Sequence, residues 1–156
     1  MQSMASFVSQ NVGAGNEKRA RKSMFTGMGI GLVIGCIVFV AVMLKGDVLT
    51  SIFTTDQSVI VRGYEYLKGF APEAIVTAIL FSMVGYFNGH DKTIWVMTQG
   101  LIQTLLVRLP LAYYMSIQPD ASPTNIGLAA PVATVCGIIL NIVYFIILNR
   151  KETSLR

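Results

Sequence analysis

FAPEAIVTAILFSMVGYFNGHDK, residues 70–92, is apolar and long enough to cross a bilayer, yet it carries Pro72 and Glu73 near one end and closes on Asn88-Gly89. A lipid-facing helix has no use for a proline and a carboxylate there. A charge within a membrane segment costs about 2.5–3.5 kcal/mol on insertion scales, so it faces a bundle interior, a partner or a water-filled cavity. The stretch therefore reads as the working helix of a polytopic, transport-type protein, with the other apolar segments as its scaffold.

Composition agrees. The chain of 156 residues is 53% hydrophobic and 13% charged, with a mean hydropathy of +0.61; an ordinary soluble domain carries about 25% charge. Four apolar runs, 24–44, 69–87, 94–117 and 126–148, each approach the roughly 20 residues needed to span about 30 Å of hydrocarbon. The expected fold class is an all-α membrane protein with four transmembrane helices. The first run is free of charge, the second holds Glu73 and the third Arg108. No signal-peptide pattern is present. Cys36 and Cys136 fall mid-span and read as small core residues with no disulfide or metal role.

Charge sets the topology. Lys18, Arg19, Arg21, Lys22, Lys92, Arg150, Lys151 and Arg156 gather on one side of the four spans, against Lys45, Arg62 and Lys68 on the other. The positive-inside rule then makes the first side, with both termini and the 88–93 turn, cytoplasmic, and 45–68 and 118–125 external. A cysteine at Ser122 is expected to react from outside, and one at Asn88 to resist. The net charge of +4 is spent on helix ends, which argues against nucleic acid as a partner.

Along the chain, 1–12 look like the polar end of a helix that lacks its apolar upstream part. Gly13-Ala14-Gly15-Asn16 forms a turn, and no strand or GK[ST] makes it a phosphate loop. Gly27, Gly31 and Gly35 lie four apart on one helix face, the spacing that lets membrane helices approach closely. Residues 48–53 suggest an interfacial helical turn, and Asp56 a helix cap. Pro72 is placed to kink its helix. His90 has no metal-ligand partners at helical spacing and reads as part of a solvated turn. Gln99 and Gln103 share a stripe and either bond neighbouring helices or line a cavity; Arg108, Pro110, Pro131 and Asn141 complete the polar and kinking residues of the last two spans. Glu73 and Arg108 stand about 21–23 Å above the 88–93 turn at about 1.5 Å of rise per residue, level enough for an ion pair; since height does not fix rotation, the alternative is an Arg108 that reaches to the outer surface. No Ser/His/Asp set, paired carboxylates or nucleotide loop suggests an enzyme.

Five segments in order carry a resemblance: SFVSQNVGAGNEKRARKS (6–23), IFTTD (52–56), GYFNGHDKT (85–93), VRLPLAYYMS (107–116) and IGLAAPVAT (126–134). Together they resemble the multidrug and toxic compound extrusion (MATE) family, over nearly the whole chain. The resemblance implies a twelve-helix, two-lobe transporter of which 1–156 would be the last four helices of the second lobe, with the tip of the eighth helix in front. Met1 would then be an internal methionine or the start of a truncated gene, and the piece alone would be inactive. The implied activity is secondary antiport, exporting organic, often cationic, drugs or toxic compounds in exchange for protons or sodium ions, with no cofactor and no structural metal. Membrane lipid, a small organic substrate and the remaining helices are the implied partners, and a bacterial plasma membrane is the expected location. A lipid-linked precursor flippase of the same superfamily, or a transport-inactive four-helix scaffold, are the alternatives. Candidate pathway residues are Glu73, Thr77, Gln99, Gln103, Arg108 and Asn141. Thr77 enters because a coupling carboxylate of some sodium-driven members would fall there, one turn beyond Glu73. Asp91 stands where the family usually has glycine.

Overall fold

The computed structural model describes residues 1–154, and among them every regular element is a helix. In chain order these are α1 (Gln2–Gly13), α2 (Glu17–Ser51), α3 (Gln57–Phe70), α4 (Glu73–Gly89), α5 (Thr93–Ser116) and α6 (Pro123–Ser154). α2, α5 and α6 are each long and apolar enough to cross a membrane, and α3 with α4 reaches that length and apolarity only if the bent pair is taken together as one span. Arg156 and the side chain of Lys151, both counted above for topology, lie outside the described residues.

Local chemistry sets the boundaries. Gly15 turns the chain with φ +71°, a conformation open to glycine at little steric cost, and the Asn16 side chain then accepts from the Arg19 amide at 3.2 Å, capping α2. α2 bends at Lys45 (φ −138°, ψ 28°) as its apolar run ends. The Tyr64 hydroxyl donates to the Met43 carbonyl there at 2.7 Å. The helical turn expected around residues 48–53 follows this kink, as a short helical segment running to Ser51 and set off from the span. Asp56 caps α3, accepting from the Ser58 hydroxyl and amide, both at 2.8 Å. Those bonds hold its carboxyl below the usual aspartate value.

The opening stretch is divided. Its first residue, Phe70, ends α3, and α4 departs at 47° after Ala71-Pro72. Pro72 has no N–H to continue the α3 ladder, so the chain breaks there. Glu73 consequently opens α4, where the helix dipole favours a carboxylate. In α5, residues Ile102–Arg108 are π-helical. The Leu109 amide reaches back five residues to the Thr104 carbonyl, just ahead of Pro110, which has no donor to offer the normal register.

Small residues bring the helices together. A methyl at Gly31 would stand 3.0 Å from Ala78 Cβ, and one at Gly35 3.0 Å from Ile75 Cα and closer still to the Ala74 carbonyl. Gly27 faces Ser82 on the same line, so the glycine face of α2 lies antiparallel along α4. α3 and α6 cross with equal intimacy at Gly69 and Gly127. α1, unplaced from the sequence, packs on α2 and α4, with Val8 fully buried against Gly89. The core formed by Val8, Ala20, Met24, Met83, Tyr86 and Phe87 therefore sits at one end of the bundle. Outward, α2 presents Ile30, Val33, Ile34 and Ile37. Cys36 is exposed there instead of in the core, and both cysteines are free.

Candidate ion and substrate site

α4, α5 and α6 meet around a line of polar side chains inside an apolar bundle. The Gln99 amide donates to Gln103 Oε1 at 2.6 Å, Gln103 Nε2 donates to Thr134 Oγ1 at 3.1 Å, and the Thr134 hydroxyl donates to Glu73 Oε1 at 2.8 Å. Gln99 and Thr134 are 2% and 1% exposed. Gly137 makes room for the two glutamines: a methyl there would collide with both amide groups. Each donor in the chain points the same way, toward the carboxylate. The second carboxylate oxygen, Oε2, is buried and has no hydrogen-bond partner among the described residues, an arrangement costly enough to call for an explanation.

Beside this line, Glu73 and Thr77 border a cavity of about 450 Å³ with Val38, Leu67, Phe70 and Phe81. Among the described residues Glu73 is the sole ionisable group in its wall. Of the six residues singled out from sequence, the structure thus bonds Gln99 to Gln103, connects both to Glu73 through Thr134, and sets Thr77 on the same cavity as Glu73. Asn141 is fully buried farther along α6, where its Oδ1 accepts from Trp95 Nε1 at 3.0 Å and its Nδ2 is unpartnered. Trp95 stacks on Tyr144 at 4.1 Å.

Arg108 does not join them. It is exposed, and the expected ion pair with Glu73 is not formed: Glu73 is bonded to Thr134 instead. Equal height did not bring equal facing. The π-helical segment carrying Arg108 packs on α6, and the widened register of that segment changes which side chains face inward.

A family model described as MatE matches residues 1–114, which is the greater part of the chain and includes α4 with Glu73. The chain belongs to the MatE family. Neither the curated proteins nor the solved structures compared with it give a match. The members of this family are membrane transporters, and the MatE match together with the apolar helices makes the chain that of an integral membrane protein. The departure noted from the MATE pattern has a structural counterpart: Asp91 takes φ 58°, the left-handed region where glycine is the undemanding choice.

Two features of this MatE chain escaped the sequence. Thr134 ends the segment IGLAAPVAT, so its type and place were in view, but nothing in one sequence paired it with a carboxylate 61 positions earlier. His90 is not a solvated turn residue. Its side chain is 12% exposed, with Nε2 at 2.9 Å from Glu17 Oε2 and Nδ1 at 2.9 Å from the Tyr86 carbonyl. The Tyr86 hydroxyl donates to Glu17 Oε1 at 2.5 Å. Both imidazole nitrogens thus lie within hydrogen-bond reach of acceptors. This cluster ties the start of α2 to the end of α4.

Proposed function

We propose that the chain forms the last four spans of a two-lobe, twelve-helix secondary antiporter that exports organic, often cationic, compounds in exchange for protons or sodium ions, with both termini cytoplasmic. The observation that carries this reading is Glu73. It is a carboxylate at a helix start within the bundle, it terminates a one-way hydrogen-bond chain, it keeps one oxygen unpartnered, and it borders an otherwise uncharged cavity. Such a group can take a proton or a cation and exchange it for a cationic substrate, with Phe70 and Phe81 offering apolar, aromatic contact. A cavity lined by several cations, which a precursor flippase would call for, is not supported, since Arg108 stands outside it.

The test is Glu73→Gln in the full-length transporter, expressed in a drug-sensitive host. Export of a cationic dye is expected to fall at least about tenfold at equal expression, a loss of roughly 1.4 kcal/mol or more. Undiminished export would leave Glu73 with a structural role and remove the reading's main support.

A further inference from the structure

Between α1 and α2 lies an open groove of about 830 Å³, away from the Glu73 cavity, with Arg19, Lys22, Ser23, Thr26, Gly27 and Ile30 of α2 along one side and Met4 and Phe7 of α1 along the other. Its walls change character along α2. Arg19 and Lys22 precede the apolar run that begins at Met24, whereas Gly27 and Ile30 lie within it. At about 1.5 Å per residue, Lys22 to Ile30 covers about 12 Å, the step from a charged membrane boundary into hydrocarbon.

The structure divides the basic cluster that precedes this span. Arg21 turns toward Glu17 and lies over the Phe145 ring. Arg19 and Lys22 instead flank the groove, and neither has an acidic side chain as partner among the described residues. The Arg19 guanidinium rests 5.5 Å above the Phe7 ring centroid, which holds its charge at the groove mouth. Two uncompensated cations at one end of an apolar slot, at the depth where a span enters the bilayer, complement an anion carried on a hydrocarbon chain.

We infer that this groove is a binding site for an anionic phospholipid, with the phosphate held by Arg19 and Lys22 and the upper acyl chain lying along Phe7, Met4, Gly27 and Ile30. Ser23 adds a hydroxyl at the phosphate level. The site differs from the diffuse attraction that any basic loop feels for an anionic surface, because Lys18, next in sequence and exposed, does not line it.

The experiment uses the full-length transporter in phosphatidylcholine bilayers containing a spin-labelled lipid. The fraction of label immobilised at the protein gives the association of phosphatidylglycerol relative to phosphatidylcholine. Phosphatidylglycerol is expected to be preferred several-fold. Arg19→Ala and Lys22→Ala should each lower the preference roughly fivefold, which corresponds to about 1 kcal/mol per basic residue near an anionic surface. Thr26→Trp, which fills the slot and removes no charge, should lower it too, and Lys18→Ala should leave it intact. Helix content is compared for every variant, and Thr26→Trp keeps the test decisive where a charge variant folds poorly. Equal association of the two lipids, an equal loss in Lys18→Ala, or competition by millimolar inorganic phosphate would each overturn a phospholipid site.

Discussion

At the scale of single residues, the chemistry of Glu73 is set by what points at it. A side-chain hydrogen bond contributes about 0.5–1.5 kcal/mol net, and more when one partner is charged; among the described residues Thr134 supplies the one such bond that Glu73 receives. Thr134→Val keeps the shape and removes the donor. It is expected to depress export strongly and alter its pH profile, while Thr134→Ser restores both; equal behaviour of the two variants would make the hydroxyl irrelevant. Asp91 presents a simpler case. Its φ of 58° is a conformation for which an L-residue usually needs a reason, and the side chain is exposed. Asp91→Gly should be neutral or raise stability by up to about 1 kcal/mol, and Asp91→Val should lower it by about 1–2 kcal/mol. Thermal unfolding of the reconstituted chain measures both, and a stable Asp91→Val variant would refute the strain argument.

At the scale of helices, close approach depends on which glycines face a backbone. Gly29 and Gly35 belong to the same apolar run, but a methyl at Gly29 meets nothing within 4 Å while one at Gly35 meets the α4 backbone. Backbone cannot yield as a flexible side chain can. Gly35→Ala should therefore destabilise by about 1–3 kcal/mol through overpacking. Gly29→Ala should be neutral or stabilising by up to about 1 kcal/mol, as helix propensity dictates. Matched denaturation of the two variants tests the α2–α4 register, and equal effects would contradict it. The spacing of Gly27, Gly31 and Gly35 was legible as a packing face; its partner, the line Ser82, Ala78, Ala74, was not.

At the scale of the whole molecule, orientation rests on charge. Asp91 and Asp120 are exposed at opposite ends of α5, which makes them cleaner reporters than Asn88, whose amide oxygen is buried. With both termini cytoplasmic, a cysteine replacing Asp120 should react with an impermeant reagent in intact cells, and one replacing Asp91 only after permeabilisation. The opposite pattern would invert the topology. The exposed aliphatic face of α2 fits the same frame, since a bilayer or neighbouring spans, and not water, surround it.

What the sequence determined by itself was everything that depends on local order. Apolar runs long enough to span, the turn at 13–16, the cap at Asp56, the kink at Pro72 and the family resemblance each reside in consecutive residues, whose spacing already states the physics. What the tertiary structure decided was rotation and partnership. Glu73 and Arg108 were placed at one height, yet a π-helical segment and the packing of α6 gave Glu73 to Thr134 and left Arg108 outside. His90 looked solitary because Glu17 is 73 positions away. Height along a helix accumulates residue by residue and can be counted, whereas facing depends on how three helices settle against one another, and that is set by contacts between residues far apart in the chain.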